Sequence, residues 1–155
     1  MLRDILEYKY VHPNMNDMSV INKLSSGSAI KIYWKCDKSE CGGHWWKDSP
    51  NNRIRADETR GCPICSNHRI CKCKDNCNSL GFMDKELAKE WHPTKNGNKT
   101  PFDYTPSSGR KVWWKCEKSE CKMHEWFTTI HNRSHRRNCP ICSNKKICPC
   151  KDHCN

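Results

Sequence analysis

The chain has 155 residues, is 35% hydrophobic, and carries a formal charge of +11 with a mean hydropathy of −1.00. That length allows one ordinary domain or two small ones, and a polar unit of about 78 residues buries only a modest core. No stretch has the apolar length of a membrane span, and Met1–Pro13 (MLRDILEYKYVHP) lacks the apolar run of a signal peptide, so we expect an intracellular, reducing compartment.

In chain order, Asp4–Val11 reads as a short helix stopped by His12-Pro13, because the residue before a proline disfavours the helical conformation. Asn14–Ser28 is polar and turn-rich and reads as ordered loop. Lys31–Lys35 (KIYWK) is β-rich and runs directly into Cys36, and a second strand around His44–Lys47 completes a hairpin. The CPIC run Cys62–Cys65 is expected to open a short helix, since proline fits a first helical turn.

The same order then returns. Met83–Trp91 (MDKELAKEW) predicts a helix with Asp84 as N-cap and with Leu87 and Trp91 on one face, stopped by His92-Pro93. Thr94–Gly109 reads as loop, Lys111–Lys115 (KVWWK) and His124–Ile130 as a hairpin, and Cys139–Cys142 as the start of a second short helix. Between Lys31–Arg55 and Lys111–His135, 12 of 25 positions are identical, and between Cys62–Asn78 and Cys139–Asn155, 13 of 17. The first copy has three extra residues within Ile54–Gly61, as a surface loop between two fixed ligand blocks would tolerate. We therefore expect two domains, 1–78 and 79–155.

What the repeat preserves is a set of metal ligands. The first copy has Cys36, Cys41, His44, Cys62, Cys65, Cys71, Cys73 and Cys77; the second has Cys116, Cys121, His124, Cys139, Cys142, Cys148, Cys150 and Cys154. All 14 cysteines are used, and eight ligands per copy suit two tetrahedral zinc ions, four per chain. Small polar domains need a staple, and in a reducing compartment metal is favoured over disulfide. A hairpin knuckle followed by C-x-x-C at a helix start is the treble-clef plan: the two-residue gap lets both sulfurs reach one ion, and the helix end favours thiolates. The first assignment puts Cys36, His44, Cys62 and Cys65 on one zinc, and Cys41, Cys71, Cys73 and Cys77 on another. The second copy follows with Cys116, His124, Cys139 and Cys142, then Cys121, Cys148, Cys150 and Cys154. The alternative puts Cys41 and Cys121 in the first sites and leaves the histidines outside them. The fold class expected is thus a small metal-stabilised α+β protein: two tandem treble-clef-like zinc domains, each with a short helix, a knuckled β-hairpin and a short C-terminal helix.

Binding all 14 thiolates to four zinc ions lowers the formal charge by six, to about +5. The chain stays basic, mostly in its second half. Basic and aromatic residues interleave in Tyr33-Trp34-Lys35 and Trp113-Trp114-Lys115, although the tryptophans that recur beside ligands (Trp34, Trp46, Trp114 and Trp126) suit packing on the metal cluster better. Arg53, Arg133, Arg136 and Arg137 are the expected nucleic-acid-binding residues. His131-Asn132 and His135 superficially suggest a nuclease site, but no acidic residue accompanies them, and the zinc sites leave no open coordination position. No enzymatic activity is expected.

Leu87–Gly97 (LAKEWHPTKNG), Lys111–Cys116 (KVWWKC), His124-Glu125-Trp126, Arg133 and Cys139–Cys142 together resemble the probable zinc-ribbon, treble-clef domain found in tandem in proteins of giant DNA viruses and some bacteria. The resemblance covers nearly all of the second copy; in the first, Val11-His12-Pro13 is its clearest trace. It implies zinc binding and association with nucleic acid. Cys41 and Cys121 are extra to the usual knuckle, which fits an added second zinc. Two functions are expected from this: a nucleic-acid-binding module of a large DNA virus or, alternatively, a structural virion protein (a minor capsid or capsid-associated component) with zinc-stapled protein-interaction domains. Neither involves a membrane or a small-molecule substrate.

Overall fold

Alternation along Ile32-Tyr33-Trp34-Lys35 puts Ile32 and Trp34 on one face and Tyr33 and Lys35 on the other, the period of a half-buried strand. In the computed structural model of the protein these residues form β1 (Ile32–Lys35), antiparallel to β2 (Trp45–Asp48), with Tyr33 opposite Lys47 and Trp34 opposite Trp46. The hairpin recurs as β3 (Lys111–Lys115) and β4 (Glu125–Thr129), with Trp113 opposite Phe127 and Trp114 opposite Trp126. The structure describes residues 1–4, 6–54, 60–135 and 138–150, without the side chains of residues 6 and 7. The chain divides into two compact units, Met1–Asp75 and Asn76–Asn155, with one hairpin in each.

A two-stranded sheet is marginal in water and needs a packed face. In the first unit Trp34 is fully buried against Leu2, Val11, Ile21, Leu24, Ile32 and Trp46. In the second, Trp114 is fully buried among Leu80, Leu87, Trp91, Val112, Trp126 and Ile130, together with four of the cysteines. Both buried indoles keep a partner: Trp34 Nε1 donates to Asp48 O at 3.0 Å and Trp114 Nε1 to Thr128 O at 3.3 Å. Burying one such ring contributes roughly 4–6 kcal/mol as an upper figure.

A third segment closes the free edge of each hairpin. Val11 forms a β-bridge with Trp34, and Trp91 with Trp114. One asparagine then acts as a substitute strand. Asn96 Nδ2 donates to Trp113 O at 2.9 Å, while its Oδ1 accepts from Trp113 N at 2.8 Å. Asn16 does the same to Tyr33 at 2.8 Å both ways. A primary amide offers a donor and an acceptor in the spacing of a peptide group, so it satisfies both backbone groups of one residue on an open edge.

The helices are shorter than the sequence predicts. In place of one helix over Asp4–Val11, the first unit has 3₁₀ turns at Leu2–Asp4 and Leu6–Tyr10. The segment read as loop contains α1 (Met18–Ile21), which Asp17 caps and which buries Ile21. α2 (Pro50–Arg53) follows β2 and is capped by Ser49. Met83–Trp91 is not one helix. α3 (Leu80–Met83) ends at Asp84, whose carboxylate caps α4 (Lys85–Lys89) by accepting from Leu87 N at 2.9 Å. A residue that caps in this way has non-helical backbone, here φ −138°, so the helix breaks where its cap sits. Trp91 leaves the helix to reach Trp114. α5 (Ile130–Ser134) follows β4 and is capped by Thr129.

The helix expected at each CPIC run is a single turn. Ser66 N donates to Cys62 O at 3.2 Å and Ser143 N to Cys139 O at 3.1 Å, and then Asn67 (φ 59°) and Asn144 (φ 54°) turn left-handed. The next two N–H groups fold back on a proline carbonyl, His68 and Arg69 on Pro63 O, and Lys145 and Lys146 on Pro140 O. An asparagine tolerates that conformation and stops a helix in the way a C-terminal glycine does.

Asn96→Ala strips Trp113 N of its partner and leaves Trp113 O with the His92 N–H alone, at 3.1 Å. We expect a loss of about 1–3 kcal/mol and a Tm lower by roughly 4–8 °C per kcal/mol in thermal unfolding of its unit. Asn96→Asp, which keeps the acceptor but not the donor, should fall between the alanine variant and the wild type. A wild-type Tm for both variants would remove the clamp from the account.

Candidate metal centres

Each hairpin carries its ladder through the knuckle: Cys36 N donates to His44 O, and Cys116 N to His124 O, both at 2.9 Å. The tip turns through a left-handed residue, Gly42 (φ 67°) in the first unit and Lys122 (φ 56°) in the second. The CPIC turn then approaches from the other side.

Cys36, His44, Cys62 and Cys65 bring their ligand atoms within 4.8 Å of one another, as do Cys116, His124, Cys139 and Cys142. Cys36 Sγ lies 3.6 Å from Cys65 Sγ, and Cys116 Sγ 3.6 Å from Cys142 Sγ. A disulfide bond is ~2.05 Å, whereas two thiolates ~2.3 Å from one tetrahedral zinc stand ~3.8 Å apart, close to the spacing seen. The histidines enter through Nδ1, 3.4 Å from Cys65 Sγ and 3.3 Å from Cys142 Sγ. Burial lowers the His44 pKa, which keeps the imidazole neutral at pH 7 with a lone pair to offer.

The second groups lie alongside. Cys41, His44 and Cys71 share one 4.8 Å neighbourhood, and so do Cys121, His124 and Cys148. Cys41 Sγ is 3.5 Å from Cys71 Sγ, and Cys121 Sγ 3.6 Å from Cys148 Sγ. Cys73 and Cys150 enter by their backbone: Cys73 N donates to Cys71 Sγ at 3.4 Å, and Cys150 N to Cys148 Sγ at 3.5 Å. Cys154 lies outside the described residues. Gly43 is held so close to the second group that a Cβ there would stand 2.6 Å from Cys73 N and 2.9 Å from Cys71 Sγ. The histidine of each unit therefore belongs to both groups, although sequence spacing placed it in the first alone.

The donor set fits zinc. N–H groups aimed at sulfur, such as Gly43 N to Cys41 Sγ at 3.4 Å and Cys65 N to Cys62 Sγ at 3.5 Å, favour thiolate over thiol. Against this, burial and the neighbouring sulfurs push the Cys65 and Cys142 thiols up to about 12, and burial raises Cys36 as well. Only a cation makes several thiolates tolerable in one place. The protein binds zinc through these Cys/His clusters, about two sites per repeat.

Two of the four arginines expected to read phosphate, Arg53 and Arg133, are engaged inside their own units. Arg53 is 5% exposed, with its guanidinium carbon 5.2 Å from the Tyr10 ring, 4.9 Å from Trp34 and 5.0 Å from Trp46, and Nη1 donates to Arg60 O at 2.7 Å. Arg133 grips Glu90, with Nε and Nη2 at 2.9 and 2.5 Å from Oε2. Both guanidiniums thus make their contacts within the hairpin core of their own unit. Arg136 and Arg137 lie outside the described residues.

A family model described as a probable treble clef zinc finger domain matches the chain twice, over residues 8–68 and 87–145. Each match contains one whole first group and stops before the last three cysteines of its copy. Comparison with curated proteins finds no match. Among the described residues no helix is long and apolar enough to cross a membrane.

Since thiols near 12 hold their protons at neutral pH, zinc must displace them. Zinc affinity should rise with pH, by about tenfold per unit for each proton displaced, and acid should expel metal and unfold the units together. Indicator dyes in weak buffer should register proton release on zinc addition. Native mass spectrometry should give four zinc ions for the wild type and three for Cys65→Ser or Cys142→Ser. Four ions retained in either variant would place the first site elsewhere.

Proposed function

The chain belongs to the probable treble clef zinc finger domain family, and from that premise we propose that it is a non-enzymatic, zinc-stapled nucleic-acid-binding protein. The first zinc of each unit sits on Cys36, His44, Cys62 and Cys65, or on Cys116, His124, Cys139 and Cys142. The second takes Cys41, Cys71, Cys73 and Cys77, or Cys121, Cys148, Cys150 and Cys154. The Nδ1 contacts of both histidines to a CPIC sulfur support their place in the first site.

The observation that carries the reading is the charge on the outward face of each hairpin. On β1 and β2 that face holds Lys35 and Lys47 and no acid. On β3 and β4 it holds Lys111 and Lys115, and its single acid, Glu125, is already occupied by Lys95 and by His92 Nε2 at 3.0 Å. These contacts lower the Glu125 pKa, Lys95 first and His92 next, so the carboxylate stays ionised and paired above the ordinary carboxylate range. Lysines on a rigid two-stranded platform neutralise phosphates and release counterions on binding. Arg136 and Arg137 remain candidates to extend this surface.

Binding rather than catalysis suits the remaining residues. The His131 and His135 rings lie against each other with centroids 4.1 Å apart and planes tilted by 40°, and His135 Nδ1 lies 2.8 Å from His131 O. A large DNA virus is the setting that the resemblance implies. A second reading, a structural virion component, draws on Phe82, Met83 and Phe102, which are 43–58% exposed on adjoining turns of the second unit.

Zinc-loaded protein titrated with labelled single-stranded and duplex DNA and RNA should bind at sub-micromolar Kd, and log K should fall linearly with log salt. A Lys35→Gln, Lys47→Gln double variant should flatten that slope. Arg133→Gln should lower the Tm and leave affinity nearly unchanged. Absence of binding at low salt would remove the nucleic-acid reading and leave the structural one.

A further inference from the structure

We infer that the outward face of each hairpin is a stacking platform for unpaired bases; this rests on the nucleic-acid reading and makes its ligand a single strand. In the first unit the rings of Tyr33 and Trp45 lie 5.9 Å apart at 65°. Lys47 Nζ stands 5.3 Å from the Tyr33 ring, and Lys72 Nζ 4.2 Å from that of Trp45. In the second unit Trp113 and Phe127 lie 5.3 Å apart at 40°, with Lys95 Nζ 4.5 Å from the Trp113 ring.

The core does not require these rings. Trp34 and Trp46, and Trp114 and Trp126, already fill the inner faces, and each is at most 5% exposed. Phe127, by contrast, is 50% exposed. Nor does simple duplication explain the pairs. Tyr33 corresponds to Trp113, Trp45 to Glu125, and Lys47 to Phe127, so all three positions differ between the copies. In the first hairpin the second ring stands opposite Lys35, and in the second it stands opposite Trp113. In one shared strand register, two different ring placements, diagonal in the first hairpin and directly opposed in the second, arrive at the same composite, a pair of rings bordered by lysine.

That composite matches a single strand. Unpaired bases expose their π-faces to aromatic side chains while the backbone runs past cations, and every base offers such a face. A duplex hides its base faces in the stack and presents phosphate alone to a flat surface. A pair of rings serving only the hairpin would contribute the modest energy of a cross-strand contact and would not distinguish the two ligands.

The test uses the full, zinc-loaded chain with labelled oligothymidylate, oligouridylate and a mixed-sequence duplex of equal length. Wild type should bind both single strands more tightly than duplex at one salt concentration, and the ratio between oligothymidylate and oligouridylate tells DNA from RNA. Phe127→Ser and Tyr33→Ser should each weaken single-strand binding by roughly five- to a hundredfold, with the salt slope and duplex affinity unchanged. Phe127→Tyr should restore binding. Zinc content and Tm report folding; if the serine variant fails to load zinc, Phe127→Leu carries the same test, being apolar without a ring. Full single-strand affinity in the ring-less variants overturns the platform. So does a preference for duplex, which leaves the nucleic-acid reading standing. Absence of binding to every probe overturns both.

Discussion

Zinc ligation at the tip of a short hairpin is the constraint on which each unit depends. Strands of four or five residues cannot hold themselves together in water, and each unit has a single two-stranded sheet among its described residues. The knuckle and the CPIC turn come from segments far apart in sequence, yet their sulfurs meet at 3.6 Å in both units. Gathering thiols there is unfavourable without a cation, as the elevated Cys65 and Cys142 values show. Metal uptake and closure of the fold are therefore one event, with binding free energy appearing as folding free energy.

Each unit holds its arginine by different chemistry, Arg53 buried and Arg133 half-buried. Arg53 and Arg133 occupy corresponding places after β2 and β4. Residue 10 and its counterpart residue 90 decide the partner. Tyr10 offers a ring, and Arg53 sits among three aromatic faces; Glu90 offers a carboxylate, and Arg133 takes a two-pronged ion pair, both side chains 14% exposed. A guanidinium is weakly hydrated and planar, so it accepts either environment. Duplication has kept the task and changed the partner. The outward hairpin faces are then lysine-rich.

Several features were legible in the residues. The hairpins lie where KIYWK and KVWWK placed them, and the Asp84 cap was visible, although its consequence, a broken helix, was not. The paired His-Pro-x-x-Asn in both copies, His12 to Asn16 and His92 to Asn96, contained a signal for the edge clamp. Reading it required knowing that the chain doubles back beside the strand, because an amide can imitate a peptide group only where an open edge faces it. The CPIC turns ended early because Asn67 and Asn144 turn left-handed while the prolines' carbonyls collect two donors each, a contest between local hydrogen bonds that pattern reading does not weigh.

By itself the sequence determined the ligand inventory, the duplication and the inward and outward faces of the strands. Thiolate chemistry is a property of residue type, C-x-x-C reach is a property of local spacing, and strand alternation has a period of two. Only the tertiary structure decided that two of the arginines face inward, that each histidine stands between two sulfur groups, and that differently placed rings gather beside lysines on the outward face of each hairpin. Those outcomes depend on which distant segment arrives beside a side chain. Burial of a charge and choice of a neighbour are set by packing across the unit, for which local spacing has no code.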